Sequence, residues 1–163
     1  MKWFTNPQSI EELKQQYKKL ALKHHPDIGG TNEAMQEINT EYDLLFSQLK
    51  NIHKSAAGET YTAKTETTET PEEFKHIIDC LIHLAGIKIE ICGSWVWITG
   101  STYQHREQLK KLNFKYSRSK SAWYFHSEGY RKHNSKSFSL DEIRDLYGSK
   151  TIRAEPKLKL AVV

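Results

Sequence analysis

The sequence has few cysteines and no long apolar run, and these two absences narrow the class of protein. Among 163 residues there are two cysteines, Cys80 and Cys92, and no Cys-x-x-Cys pair, so neither a disulfide framework nor a zinc site is indicated. No apolar stretch approaches the about 20 residues of a membrane span, and Asn6, Glu11 and Glu12 interrupt the region where a signal peptide would be apolar. We therefore expect a protein of the reducing cytoplasm with no membrane partner.

The sequence also lacks the residue patterns of common catalytic sites. It contains eight histidines, but no phosphate-binding loop, paired-carboxylate motif or His-x-x-x-His metal pair accompanies them. Cys80 and His83 share a helical face, but a buried thiol is the usual explanation for such a cysteine, and it favours a structural role over a metal-binding or catalytic one. The sequence thus predicts no enzymatic activity, no cofactor and no metal site.

What the sequence does contain is a His25-Pro26-Asp27 tripeptide between two helical patterns. Residues 9–24 and 31–50 both carry apolar side chains at helical spacing, and Ser9 with Glu12 forms a capping-box pattern at the start of the first. Proline ends the first helix, and the following glycine pair allows the chain to reverse. We expect an antiparallel helical hairpin with an imidazole and a carboxylate at its tip.

This hairpin resembles the J-domain (DnaJ-like) co-chaperone family. The resemblance covers residues 1–53 and lies in the lysine-rich run 17–24, the tripeptide, the glycine pair and a correctly spaced second helix at 38–45. It implies docking on a DnaK-type ATPase chaperone and stimulation of ATP hydrolysis by that partner. Carried over by position, the chaperone-docking residues are His25, Pro26, Asp27, Tyr17, Lys18, Lys19 and Lys23. The lysines would form an exposed face that steers the domain onto an acidic surface.

The chain departs from larger J-proteins in what surrounds this hairpin. The usual first helix is reduced to residues 1–7, where Trp3 and Phe4 are expected to cover the apolar end of the hairpin. Neither a glycine/phenylalanine-rich segment nor a cysteine-rich zinc domain follows. In these respects the chain is similar to small J-proteins of phages and bacterial mobile elements.

A second module is predicted beyond a break in composition. Residues 54–70 are rich in threonine, glutamate and small side chains, which is typical of a flexible linker. Thr70-Pro71 then opens a helix, followed by strand patterns at 87–92 and 95–99, a short helix at 102–112, strand patterns at 114–117 and 122–126, and a last helix opened by Ser139. The fold class is therefore α+β: an all-α J-domain hairpin, a linker, and a small helix-β-β-α-β-β-helix domain at 71–148, followed by a basic tail at 149–163 that is either disordered or an added strand.

The second module carries a basic segment with interleaved aromatic residues. Lysine and arginine beside exposed rings suit a nucleic-acid backbone and its bases. The candidate DNA- or RNA-binding residues are Arg106, Lys110, Lys111, Lys115, Tyr116, Arg118, Lys120, Trp123, Tyr124, Arg131 and Lys132. The alternative is that the aromatic residues fill a small core while the lysines keep the surface soluble, in which case the module contacts a protein or is structural.

Two functions from different classes follow from these patterns. The first is a J-domain co-chaperone that recruits a DnaK-type chaperone to a nucleic acid or protein client bound by the second module. The second is a nucleic-acid-binding accessory protein of a mobile element, in which the helical hairpin is a docking or structural element.

Overall fold

The protein has five helices and seven strands within the residues that its computed structural model describes, which are 1–55, 57–64, 67–127, 137–147 and 152–153. The helices are α1 (Ile10–His24), α2 (Asn32–Leu49), α3 (Pro71–Ile82), α4 (Arg106–Lys111) and α5 (Leu140–Tyr147). The strands are β1 (Ile52–Lys54), β2 (Thr60–Thr62), β3 (Ile87–Cys92), β4 (Trp95–Gly100), β5 (Lys115–Ser117), β6 (Ala122–Phe125) and β7 (Ile152–Arg153). The predicted α+β class and the order of elements in the second module are confirmed.

The N-terminal hairpin forms as its sequence pattern predicts. Ser9 accepts a hydrogen bond from the amide of Glu12 and Thr31 from that of Ala34, so each helix begins with a side-chain cap. The apolar stripes of α1 and α2 face each other, and Leu13 and Ile38 are fully buried between them. Phe4 is buried in the same cluster and Trp3 packs against it partly buried, in agreement with the prediction that these two residues cover the apolar end of the hairpin.

The second module is built on a five-stranded antiparallel sheet with the order β5-β6-β4-β3-β7. Alternation along β3 divides its side chains between two faces. Ile87, Ile89 and Ile91 join the large core beneath α1 and α3, whereas Glu90 and Cys92 lie on the other face, which α5 covers. The sheet therefore supports a helical layer on each side.

The two modules share one hydrophobic core. Phe74 of α3 lies 6.0 Å, between ring centroids, from both Tyr17 of α1 and Tyr42 of α2. These rings belong to the same buried cluster as the isoleucines of β3. The helical hairpin is consequently packed against the sheet domain and is not a separate body joined to it by a tether.

The segment predicted to be a flexible linker, 54–70, contains regular structure. Its Thr60–Thr62 strand pairs with Ile52–Lys54 in an antiparallel hairpin, and Glu69 near its end is buried. Glu11 of α1 holds the hairpin, because its carboxylate contacts His53 Nδ1 at 2.7 Å and accepts from the amide of Lys54 at 3.1 Å. The composition of the segment is typical of a linker. It could not show the order seen here, because Glu11, which holds the hairpin, lies about forty residues away in the chain.

Two smaller differences concern the second module, and the described part of the tail follows one of its two predicted alternatives. The segment predicted as a helix at 102–112 is a 3-10 turn followed by the shorter α4. The side chain of Thr102 makes no capping hydrogen bond. The strand predicted from 114 begins at Lys115, since Phe114 turns into the core. Within the predicted tail, the backbone of Ile152–Arg153 pairs with β3 as an added strand, and the remaining tail positions lie outside the described residues.

Candidate functional site

The His-Pro-Asp loop is a single 3-10 turn that follows α1 directly. Pro26 occupies the first position of this turn, and the amides of Ile28 and Gly30 both donate to the carbonyl of His25, at 3.1 and 2.9 Å. The amide of Asp27 donates to His25 Nδ1 at 3.3 Å. The loop is thus held by its own backbone and by the ring of His25, with the carboxylate of Asp27 left at the tip.

The two glycines after the loop serve different geometric needs. Gly29 adopts a left-handed conformation with φ of 99°, which a residue with a Cβ adopts at a cost. At Gly30 a Cβ atom would lie 1.8 Å from the carbonyl oxygen of His24. The close return of the chain to the end of α1 therefore requires glycine at position 30.

The loop faces α3 of the second module. His25 Nε2 lies 2.7 Å from Asp79 Oδ1, and His83 Nε2 lies 3.2 Å from Asp27 Oδ2. The rings of His25 and His83 meet edge to face, with centroids 5.8 Å apart. Each end of the tripeptide is therefore matched by a polar residue on one face of α3.

This contact divides the tripeptide into a covered and an open part. The His25 side chain is 11% exposed, whereas the Asp27 side chain is 58% exposed. Pro26 is half-buried between them. Beside His25, a cavity of about 240 Å³ runs between α1, α2 and α3 and is lined by Tyr17, Asn39 and Asp79 among others.

The predicted exposed lysine face of α1 is wrong for part of the helix. Lys19 and Lys23 are exposed, as predicted, but Lys18 is 1% exposed. Its ammonium group donates to the carbonyl oxygen of Ile89 at 2.8 Å. Burial beneath β3 lowers the pKa of Lys18 to about 8. The sequence could not indicate this, because the strand that covers Lys18 lies some seventy residues further along.

Tyr17 is likewise interior and not part of an exposed docking face. It is 2% exposed, and its hydroxyl donates to Asn39 Oδ1 at 2.8 Å. Lys14, one turn earlier, is also buried and pairs with the buried carboxylate of Glu69, with its ammonium over the ring of Phe74. A buried ammonium group needs such a partner, so this pair ties α1 to the segment before α3.

The predicted nucleic-acid-binding residues divide between the surface and the core. Trp123 is 8% exposed and belongs to the main core, so it is not available to stack on a base. Tyr124 is half-buried against Trp95 and Trp97, at 5.5 Å from each ring. For these two residues the alternative of a core role is the correct one, because strand alternation places both against packed neighbours.

Unlike Trp123 and Tyr124, most of the predicted nucleic-acid-binding cations that the structure describes lie on the surface. Lys120 is half-buried, Tyr116 is 49% exposed at the edge strand β5, and Arg131 and Lys132 lie outside the described residues. The exposed cations are Arg106, Lys110, Lys111, Lys115 and Arg118. We call these five residues with Tyr116 the basic surface.

Sequence reasoning missed the two residues that meet the loop, Asp79 of α3 and the C-cap residue His83. They are four positions apart and therefore lie on the same side of the helix. That spacing was visible in the sequence, but nothing in it linked this face to a loop more than fifty residues earlier. Tyr103 was also absent from the predicted sites, although it is 80% exposed with the guanidinium of Arg106 over its ring at 4.7 Å.

Comparison with known proteins identifies the N-terminal segment. Residues 5–54 match the family model described as DnaJ domain. The chain is 40% identical over 53 residues to "Chaperone protein DnaJ" of Wolbachia sp. subsp. Drosophila simulans (strain wRi). It is 41% identical over 51 residues to "Chaperone protein dnaJ 3" of Arabidopsis thaliana, and 46% identical over 50 residues to "DnaJ homolog subfamily C member 5B" of Sus scrofa.

These similarities cover about a third of the chain and a small part of each relative. They span 32%, 31% and 28% of this chain, and 14%, 12% and 25% of the respective relatives. No solved structure matches the chain. Among the described residues, no helix combines the length and apolar character needed to cross a bilayer. Residues 5–54 are thus similar to a DnaJ domain, and the second module lies outside the matched segment.

Proposed function

We propose that this protein is a J-domain co-chaperone that docks on a DnaK-type ATPase chaperone and stimulates its ATP hydrolysis. The observation that carries the proposal is the His25-Pro26-Asp27 turn at the tip of the helical hairpin, inside the segment that matches the DnaJ domain. The role is that of a cytoplasmic adaptor and assigns no catalysis to the chain itself.

The exposed groups near the tip suit contact with a charged partner. The carboxylate of Asp27 is more than half exposed and can accept a bidentate pair of hydrogen bonds from an arginine. Lys19 and Lys23, exposed on α1, supply positive charge that orients the encounter and increases its rate. Pro26 and the backbone hydrogen bonds of the turn hold the loop in one shape before binding, which lowers the entropy lost on docking.

Full engagement of the tripeptide requires a local opening. His25 faces Asp79 of α3 in this structure, so a partner that contacts both His25 and Asp27 must first separate the loop from α3. A hydrogen-bonded pair with a charged member contributes about 1.5–3 kcal/mol. An opening that costs this free energy leaves a minor but accessible population in which the loop is separated from α3 and can dock.

The experiment for this function measures ATP turnover by a bacterial DnaK with and without the full chain. We expect stimulation by the wild-type protein and its loss in Asp27→Asn, which removes the charge at the tip. Asp145→Asn is the matched control, because Asp145 is an exposed carboxylate on α5. Absence of stimulation by the wild type, or equal stimulation by the Asp27→Asn variant, would contradict the proposal.

We propose that the second module supplies the target to which the chaperone is recruited. The basic surface favours DNA or RNA as that target over a protein client, because its five exposed cations and the exposed ring of Tyr116 lie on neighbouring elements. The same surface supports the second candidate function, a nucleic-acid-binding accessory protein of a mobile element. Neighbouring genes on the chromosome would test the mobile-element assignment.

Binding of the full chain to single- and double-stranded DNA and RNA across a salt series tests the basic surface. Phosphate contacts predict an affinity that falls as salt rises. A Lys115→Glu/Arg118→Glu variant should bind weakly, whereas Lys23→Glu, an equal reversal on α1, should bind as the wild type does. Salt-independent binding, or none, would leave a protein client as the target.

A further inference from the structure

Three donor side chains converge where the His-Pro-Asp loop meets α3. His25, Asp27 and His83 each offer one ligand atom, and these atoms all lie within 4.8 Å of one another. Two come from the loop after α1, and the third comes from the C-terminal end of α3. They are brought together by the packing of the two modules and not by a local sequence motif.

The hydrogen bonds of His25 define which of its nitrogens faces the cluster. Nδ1 accepts from the amide of Asp27 at 3.3 Å, so this nitrogen carries a lone pair, and an ion bound to it would replace that hydrogen bond. The proton of the neutral ring is therefore on Nε2, which lies 2.7 Å from the carboxylate of Asp79. Histidines that bind metals typically present one nitrogen to the ion and the other to a carboxylate, which orients the ring and raises its basicity.

Asp27 lies between the two imidazoles. Its Oδ2 atom is 3.7 Å from His25 Nδ1 and 3.2 Å from His83 Nε2. Donors bound tetrahedrally to zinc at about 2.0–2.2 Å are separated by about 3.3–3.6 Å. The spacing of Asp27 Oδ2 from each imidazole nitrogen thus needs a small adjustment, which Asp27 and His83 can make because their side chains are 58% and 45% exposed.

From this arrangement we propose that His25 Nδ1, Asp27 Oδ2 and His83 Nε2 bind a divalent first-row transition metal, with Zn²⁺ as the reference ion. Two imidazole nitrogens and one carboxylate oxygen are a ligand set that suits zinc, and nitrogen donors disfavour Ca²⁺ and Mg²⁺. The exposure of Asp27 and His83 leaves the fourth position to solvent. Asp79 acts on the metal through His25 and is a positioning residue.

Binding of the ion would join the loop to α3. The site spans residues that are more than fifty positions apart, so the ion would stabilise the packed arrangement of the two modules by mass action. It would also occupy the Asp27 carboxylate, whose side chain is otherwise 58% exposed at the tip of the loop. This consequence is independent of whether the loop acts on a chaperone.

The test is metal binding by the full-length protein, purified without an affinity tag of histidines. Zn²⁺ binding is measured by calorimetry, and Co²⁺ is added separately to read the ligand geometry from its visible absorption. We expect one ion per chain with tetrahedral Co²⁺ absorption. His83→Ala should abolish binding, and Asp79→Asn should weaken it by about 10- to 100-fold, as expected for a residue behind a ligand.

His76→Ala is the matched control, because His76 is an exposed histidine on the same helix outside the cluster. It lies 3.8 Å from the sulfur of Cys80, the nearest alternative donor pair, and its loss should leave binding unchanged. Circular dichroism and the melting temperature without metal confirm that each variant folds. No binding by the wild type, or binding that survives His83→Ala, would overturn the proposal.

Discussion

At the scale of single residues, Lys18 shows how the second module changes the role of a J-domain side chain. Its position in the lysine-rich run predicts an exposed, charged group, yet it is 1% exposed and donates to a carbonyl of β3. Burial disfavours the charged form and lowers the pKa of Lys18 to about 8 from its ordinary value of 10.5. The folded state therefore gives up this proton more readily than the unfolded state does.

The pH dependence of stability follows from that difference. Between about pH 8 and pH 10.5 the unfolded chain retains the Lys18 proton while the folded chain has lost it, so the contribution of Lys18 to stability rises with pH. Lys18→Met removes this contribution, and we expect the variant to be more stable than the wild type at pH 7 by up to about 3 kcal/mol. Its advantage should shrink towards pH 10.5.

Urea unfolding of the wild type and of Lys18→Met at pH 7 and pH 10 measures how this stability difference changes with pH. The contributions of other titrating groups cancel when the two free energies of unfolding are subtracted at each pH. Lys19→Met is the control, since Lys19 is a neighbouring lysine on α1 that is exposed. A wild-type-to-Lys18→Met difference that is constant across this range would show that Lys18 is not buried beneath β3.

A second prediction at the scale of single residues concerns the stability cost of replacing Gly30. A Cβ atom at this position would overlap the backbone carbonyl of His24, which cannot rotate away as a side chain can. We expect Gly30→Ala to destabilise the protein by about 2 kcal/mol or more. Gly29→Ala should cost about 1–2 kcal/mol, because only its left-handed conformation is unfavourable and its Cβ meets no atom within 4 Å. Thermal or urea unfolding measures both, and equal costs would contradict the steric argument.

At the scale of elements, α5 is attached to the sheet through one buried carboxylate. Glu90 of β3 is fully buried, and Arg144 of α5 donates to its two oxygens at 2.8 and 2.6 Å. These hydrogen bonds also raise the pKa of Arg144. Removing the guanidinium leaves a buried charge without this partner, which is strongly unfavourable.

We expect Arg144→Ala to lower the free energy of unfolding by about 3 kcal/mol. Asp141→Asn provides the control, because Asp141 contacts the same guanidinium at 2.6 Å but is 86% exposed, and an exposed ion pair contributes less than about 1 kcal/mol. Chemical denaturation measures both values. Similar small effects of the two substitutions would show that Glu90 does not depend on Arg144.

The elements themselves were largely predictable because their signals are local. Caps at Ser9, Thr31 and Thr70, and the Gly93-Ser94 turn, lie within a few residues of the helices and strands that they bound. The strand at 60–62 was missed because it pairs with β1, which in turn is held by Glu11, far away in the chain. Trp123 was assigned to a binding surface because alternation alone does not show which face of a strand is covered.

At the scale of the whole molecule, the chief finding is that the second module packs on the J-domain and does not hang from it. The shared core around Phe74, the buried Lys18 and the contact between His25 and Asp79 all lie on this junction. None of these contacts could be predicted from the sequence, since each joins residues on opposite sides of a segment whose composition is typical of a linker. The tripeptide itself could be found from sequence, but its contact with α3 could not.

This packing bears on how the loop would act on a chaperone. If His25 must leave α3 before it engages a partner, the contact with Asp79 reduces the population that can dock. Asp79→Asn weakens the contact and keeps the size of the side chain, so it should raise stimulation of ATP hydrolysis. His25→Gln keeps a polar side chain but removes the imidazole, so it should abolish stimulation.

Single-turnover ATP hydrolysis by a DnaK-type chaperone, measured with the wild-type chain and these two variants, tests the central claim most directly. We predict the order Asp79→Asn above wild type above His25→Gln, with His25→Gln at the basal rate of the chaperone alone. A basal rate with all three proteins, or a His25→Gln variant that stimulates as well as the wild type, would contradict the account.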